Sequence, residues 1–124
     1  AVGQDLTILA SGYMVYLAKQ AITALAEEGI KVGLVDCYSF PLEAAVVIEA
    51  ARNGSGKLLS LEDNYTGGLG SAVAEIAAGL DNCHLKCMYV GKFPKSGKTA
   101  DDILDYGGLG LKQVMAKAKQ IASL

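Results

Sequence analysis

A segment rich in lysine and glycine follows a predicted strand and could bind phosphate. It covers residues 91–99, GKFPKSGKT, and its end imitates a P-loop, G-x-x-x-x-G-K-[ST]. The spacing is wrong, because Gly91 lies one residue too far from Gly97 and Lys92 stands where the first glycine belongs. Too little chain follows to supply another strand with a magnesium-binding aspartate. We therefore expect no more than an anion-binding loop. Its residues are Lys95, Ser96, Gly97 and Lys98.

Three side chains near the fourth predicted strand could act as zinc ligands. They are Cys83, His84 and Cys87, and no fourth cysteine or histidine lies nearby. A structural zinc site requires four ligands, so we expect no zinc here. His84 is the single histidine of the chain, and no Ser or Cys nucleophile motif accompanies it. We expect a surface or strand-end histidine.

Acidic and glycine residues follow the third predicted strand. The segment Gly68-Leu69-Gly70 imitates the beginning of the dinucleotide fingerprint G-x-G-x-x-G, but Val73 replaces the third glycine. The fingerprint also normally follows the first strand of its unit, so tight packing between strand and helix is the simpler interpretation. Adjacent carboxylates in a strand point to opposite faces and do not form an acid–base pair. We assign structural roles to Glu62, Asp63, Gly67, Gly68 and Gly70.

Apolar periodicity predicts the elements that carry these segments. Strands are predicted at 5–10, 31–36, 57–62 and 85–90. Helices are predicted after each strand, the last two at about 100–106 and 111–122, and Gly29 is expected to end the first helix. This alternation predicts an α/β fold, a three-layer, doubly wound, mostly parallel sheet of four to five strands. The predicted apolar face of the last helix consists of Leu111, Val114, Met115, Ala118 and Ala122.

Length and composition limit the class of protein. The 124 residues fit one domain, 1–124, and 52% hydrophobic residues argue against disorder. A net charge of −2 without a basic stripe excludes nucleic acid as an expected partner. The apolar runs are too short to span a membrane. Three cysteines, an odd number, indicate reduced thiols and a cytoplasmic location.

Four segments of the sequence together indicate a family. They are ASGYMV at 10–15, VD at 35–36 followed by PLE at 41–43, EDNYTGGLGSAV at 62–73, and PKSGK at 94–98. In this order they resemble the transketolase C-terminal domain over nearly the whole chain. The third segment also resembles 1-deoxyxylulose-5-phosphate synthase and the β subunits of 2-oxo-acid dehydrogenases, whereas PKSGK followed by the acidic DDIL at 101–104 is more characteristic of transketolase. Asn64 departs from the histidine that is common in the family.

The resemblance implies a domain without catalytic residues of its own. The parent would be a cytoplasmic transferase of the pentose phosphate pathway that moves a two-carbon ketol unit between sugar phosphates. It would use thiamine diphosphate and Mg²⁺ (or Ca²⁺), held by the preceding domains of the family, so we expect no catalytic, cofactor-binding or metal-binding residue in this chain. The resemblance further implies packing on those preceding domains and a homodimer. Because the first residue is not Met, we expect a fragment of a longer chain.

Two alternatives remain open. The chain could be a natural subunit of a split thiamine-diphosphate enzyme, of the transketolase or 2-oxo-acid dehydrogenase type. It could also be an autonomous phosphate- or nucleotide-binding module that uses the loop from Ser96 to Thr99.

Overall fold

Four strands alternate with helices along the part of the chain that the structure describes. A computed structural model describes residues 4–11, 13–37, 43–62, 69–89 and 110–124. The strands are β1 (Leu6–Ala10), β2 (Val32–Asp36), β3 (Lys57–Glu62) and β4 (His84–Tyr89), and the helices are α1 (Tyr13–Glu27), α2 (Ala44–Asn53), α3 (Leu69–Ala77) and α4 (Leu111–Ala122). Among these described helices none is long and apolar enough to cross a lipid bilayer. The helix predicted at 100–106 lies outside the described residues.

The strands form one parallel sheet in the order β2-β1-β3-β4. Strand β1 pairs with β2 on one side and with β3 on the other, for example Ala10 with Asp36 and with Leu61. All five residues of β1 are buried, because both edges and both faces of the strand are covered. The predicted doubly wound, parallel α/β architecture is confirmed.

A separate apolar core lies on each face of the sheet. Helices α1 and α4 pack on one face, where Ile8 and Leu59 meet Met14 and Val114. Helices α2 and α3 pack on the other face, where Leu9 and Leu58 meet Val47 and Val73. Successive residues of β1 therefore serve opposite cores, as strand geometry requires.

Backbone geometry favours glycine in the turns after α1 and α2. Gly29 ends α1 with a φ of +82°, in the left-handed region that glycine tolerates best, as predicted. Gly54 follows α2, and a Cβ at this position would lie 2.6 Å from the Thr7 amide nitrogen. The turn between α2 and β3 can therefore pass close to β1 only without a side chain.

The buried face of helix α4 differs in part from the predicted one. Val114 and Ala118 are buried as predicted, while Leu111, Met115 and Ala122 lie at the border of the core. Ile121 is completely buried although the prediction omitted it. The buried positions 114, 118 and 121 follow the helical period through to the last turn, and Ala122 lies to one side of this line.

The C-terminal end of α4 is stabilised from the sheet. Lys57 of β3 donates a hydrogen bond from Nζ to the Ala122 carbonyl oxygen at 2.8 Å. A cation there also interacts favourably with the negative end of the helix dipole. Lys119, in the last turn of α4, pairs with Glu28 at 2.7 Å, an exposed ion pair that joins α4 to the end of α1.

We predict that Ile121→Ala lowers the free energy of unfolding by about 2–4 kcal/mol, because it leaves a cavity in the core beneath α4. Leu124→Ala is the matched control, because Leu124 is 61% exposed three residues later, and a change below about 0.5 kcal/mol is expected there. Urea unfolding measures both variants. Equal losses would show that α4 does not pack through Ile121.

We predict that Lys57→Met lowers the free energy of unfolding by about 0.5–2 kcal/mol, because the aliphatic stem is retained while the bond to Ala122 and the charge at the helix end are lost. Lys57→Arg keeps the charge and should lose less. Thermal unfolding at low and high salt measures the difference. A Lys57→Met variant as stable as the parent chain would contradict the assigned contact.

Candidate functional site

The sheet has a switch point between β1 and β3. Helix α1, which follows β1, packs on one face, and α3, which follows β3, packs on the other. In open parallel sheets, ligands commonly bind beyond the carboxyl ends of the strands at such a point, because the diverging helices leave a crevice there. The carboxyl ends of β1, β2 and β3 therefore define the candidate site.

Four polar or thiol side chains are buried at this edge. Ser11 follows β1, Cys37 follows β2, Glu62 ends β3 and Ser60 lies two residues before Glu62; each is at most 8% exposed. The Cys37 amide donates a hydrogen bond to the Ala10 carbonyl oxygen at 2.7 Å, which fixes β2 beside β1 at this end. Pairing of Ala10 with Leu61 brings the end of β3 to the other side.

The two serine hydroxyls are not satisfied within the described part of the chain. Neither Ser11 Oγ nor Ser60 Oγ has a hydrogen-bond partner there, although both atoms are shielded from solvent. A buried hydroxyl without a partner costs about 1–3 kcal/mol, so native proteins rarely leave one unpaired. The edge can therefore donate hydrogen bonds to, or accept them from, another group.

The thiol of Cys37 is a poor nucleophile. Burial, with a further contribution from the negative charge of Asp36, raises its pKa to about 11. The thiolate is the reactive form of cysteine, so this thiol stays neutral at physiological pH. Because the fold favours the protonated thiol, the associated stability is fully present below the ordinary thiol pKa and is lost as the pH rises toward 11.

The single histidine lies far from this edge. His84 is the first residue of β4 and pairs with Lys57, the first residue of β3, so it marks the amino ends of the strands. Strand β4 has six residues, which at about 3.3 Å each separate His84 by roughly 16 Å from the carboxyl edge. No pair of Ser11, Ser60 or Cys37 with this histidine can form within the chain. His84 is exposed, as predicted.

The three side chains considered for zinc do not converge. Leu85 packs against the core of α2 and α3 while Met88 packs against the opposite core. Strand alternation therefore places Cys87 on the face of Leu85 and His84 on the other face. Burial raises the pKa of the half-buried Cys83. Among the described residues no group of three or more His, Cys, Asp or Glu side chains could hold a metal ion.

The predicted loop sites are described only in part. Glu62 lies where predicted, at the end of β3, and is buried. Gly70 lies in the first turn of α3, whereas Asp63, Gly67 and Gly68 lie outside the described residues. The proposed anion-binding loop also lies outside them. Its residues are Lys95, Ser96, Gly97 and Lys98.

Sequence reasoning missed Ser60 and Cys37 as members of this edge. No local pattern marked Ser60, because β3 is buried on both faces and its sequence shows no alternation of polar and apolar residues. For Cys37 the apolar strand before it predicted burial, but nothing predicted that β2 would end directly beside β1.

Comparison with known sequences identifies relatives along most of the chain. The family described as "Transketolase, C-terminal domain" matches residues 1–114. Human transketolase-like protein 2 is 29% identical over 117 residues, which are 93% of this chain and 18% of that protein. Rat transketolase is 30% identical over 105 residues, 83% of this chain and 17% of that protein. The chain thus spans about a fifth of the length of these relatives.

Solved structures give the same assignment. A split-gene transketolase, described as an inactive β4 tetramer, is 32% identical with a TM-score of 0.84, and the match covers 98% of this chain and 40% of that one. Transketolase from Campylobacter jejuni subsp. jejuni NCTC 11168 shares the fold, with a TM-score of 0.65 at 17% identity over 97% of this chain and 17% of that chain. With the family match along residues 1–114, these similarities establish that the chain belongs to the transketolase C-terminal domain family.

Proposed function

We propose that this chain is a non-catalytic domain of a transketolase, with a structural role and a role in subunit contacts. The observation that carries the proposal is the separation of reactive groups. The hydroxyls and the neutral thiol lie at the carboxyl edge, and the single histidine lies at the opposite edge. Among the described residues the histidine cannot act as the base for these hydroxyls or this thiol, so a histidine-assisted arrangement for acid–base or covalent catalysis does not form there.

The other domains of the enzyme would carry out the catalytic reaction. The chain spans about a fifth of its transketolase relatives, which leaves ample length for the domains that would hold thiamine diphosphate and Mg²⁺ or Ca²⁺. We propose that the parent is a cytoplasmic homodimer that transfers a two-carbon ketol unit between sugar phosphates. In this arrangement the present domain stabilises the fold and the assembly.

One observation favours a second candidate, a natural subunit of a split enzyme. The split-gene transketolase is 32% identical to this chain with a TM-score of 0.84. That protein is 2.5 times as long as the matched part, since the match covers 40% of it, so its subunit contains more than this domain. Both candidates give this domain the same non-catalytic role.

A nucleophilic role for Cys37 can be tested directly. At pH 8 a pKa of about 11 lowers the thiolate fraction about a hundredfold relative to a thiol with an ordinary pKa. We predict that iodoacetamide modifies Cys87, which is exposed, first, Cys83 more slowly, and Cys37 at least a hundredfold more slowly than Cys87. Mass spectrometry of timed digests measures the three rates. Rapid modification of Cys37 at pH 8 would argue for an activated thiol and against the proposal.

We predict that the isolated chain binds neither thiamine diphosphate with Mg²⁺ nor ATP with Mg²⁺ and has no ketol-transfer activity. Mixing it with the separately produced polypeptide that carries the other domains of the enzyme should restore activity that this polypeptide alone lacks. Calorimetry and a ketol-transfer assay measure these outcomes.

Each contrary result identifies a different error. Saturable binding of ATP, removed by Lys98→Ala, would favour the nucleotide-binding alternative. Saturable binding of thiamine diphosphate would place the cofactor site in this domain. Full activity of the other domains without this chain would exclude a structural contribution to the enzyme.

A further inference from the structure

Helix α2 exposes apolar residues on its outward surface. Its exposed residues include Ala44, Ala45 and Ile48, beside the charged Glu49 and Arg52. Ile48 is 37% exposed. We call the three apolar residues the α2 face. The exposed residues of α1 and α4 are mostly polar or charged, among them Lys19, Gln20, Thr23 and Glu27 on α1 and Lys112, Gln113, Lys119 and Gln120 on α4. Tyr16 of α1 is more exposed than Ile48, at 53%, and its hydroxyl accepts a hydrogen bond from Gln20 Nε2.

A cavity lies on each side of the same helix. One, of about 350 Å³, lies between α2 and the turn before β4, with Ile48 and Arg52 at α2 and Leu80 and Cys83 opposite. The other, of about 270 Å³, lies between α2 and β2, with Val46 and Glu49 facing Val35. Helix α2 therefore rises between two depressions, a shape that can accept side chains from a partner surface.

Gln4, the first described residue, lies beside this helix. The Gln4 amide donates a hydrogen bond to the Asn53 carbonyl oxygen at 3.0 Å. The Gln4 carbonyl oxygen accepts one from the Ser55 hydroxyl at 2.7 Å. Both partners lie at the C-terminal end of α2, so any polypeptide that precedes Gln4 is connected to the domain at that end. A preceding domain would thus be tethered at the end of α2 that carries Arg52, beside the larger cavity, which Ser55 also lines.

We propose that the α2 face docks the domain that precedes this one in the transketolase polypeptide or, in a split enzyme, in its partner subunit. This assignment rests on the proposed function. The partner surface places apolar side chains on Ala45 and Ile48 and into the larger cavity, and a carboxylate near Arg52, which makes no ion pair within the described residues. Contacts of this mixed kind are typical of interfaces between domains of one chain.

Charge insertion into the α2 face tests the proposal. Ile48→Glu and Ala45→Glu both replace exposed residues, so the isolated chain should keep its thermal unfolding temperature. Ala116→Glu is the matched control, an exposed alanine in α4 on the other side of the sheet. We expect the α2 variants to bind the separately purified polypeptide carrying the preceding domains at least about tenfold more weakly, because the new carboxylate lies where apolar side chains of the partner pack and, at position 48, can also pair with Arg52 one turn later. The control should bind as the parent chain does.

Three other outcomes would each contradict a different claim. If the parent chain neither binds that polypeptide nor restores its activity, the proposed function fails and this inference fails with it. If the parent chain binds and the α2 variants bind equally well, only the docking surface is wrong. If sedimentation shows that the isolated parent chain self-associates and Ile48→Glu abolishes this without weakening binding to the preceding domains, the α2 face contacts a second copy and the proposal is overturned.

Discussion

The burial of β1 on every side is the constraint on which the rest of the domain depends. This strand pairs with β2 and β3 and is covered by helices on both faces, so Ile8 must fit one core and Leu9 the other. Two cores require helices on both sides of the sheet, which the alternation of strands and helices supplies. The position of β1 also creates the switch point, because the chain leaves it toward one face and leaves β3 toward the other.

The sequence predicts individual strands and helices better than the contacts between them. The β3 and α4 boundaries follow from apolar periodicity and match the structure residue for residue. The contact between Lys57 and the end of α4 joins residues 65 positions apart, and no local pattern encodes it. Ser60 was not identified from the sequence, because a strand buried on both faces shows no alternation between polar and apolar residues. The distance between His84 and the carboxyl edge depends on strand order, which propensities do not specify.

The two edges of the sheet differ in the hydrogen bonds that their polar groups make. At the carboxyl edge Ser11 and Ser60 carry buried hydroxyls without partners in the described part of the chain, an arrangement that costs stability unless another group completes it. At the amino edge Lys31 donates its amide to an Asp5 carboxylate oxygen and the Ser55 hydroxyl holds Gln4, although the buried Thr7 hydroxyl near that edge also lacks a partner within the described residues. The amino edge thus holds the segment from Gln4 in place, and the carboxyl edge leaves two hydroxyls for a partner group.

Helix α2 connects this internal architecture with assembly. It is held to the sheet mainly by Val47, Ala50 and Ala51, and alanines bury little apolar area. Covering Ile48 and the adjoining cavity would add apolar burial at about 25 cal/mol per Å² without any change within the domain. Binding that occurs only to the folded state also stabilises that state. A domain with this helix on its surface should therefore gain more stability from docking than one whose outer helices are fully polar, so its fold and its assembly depend on opposite faces of the same helix.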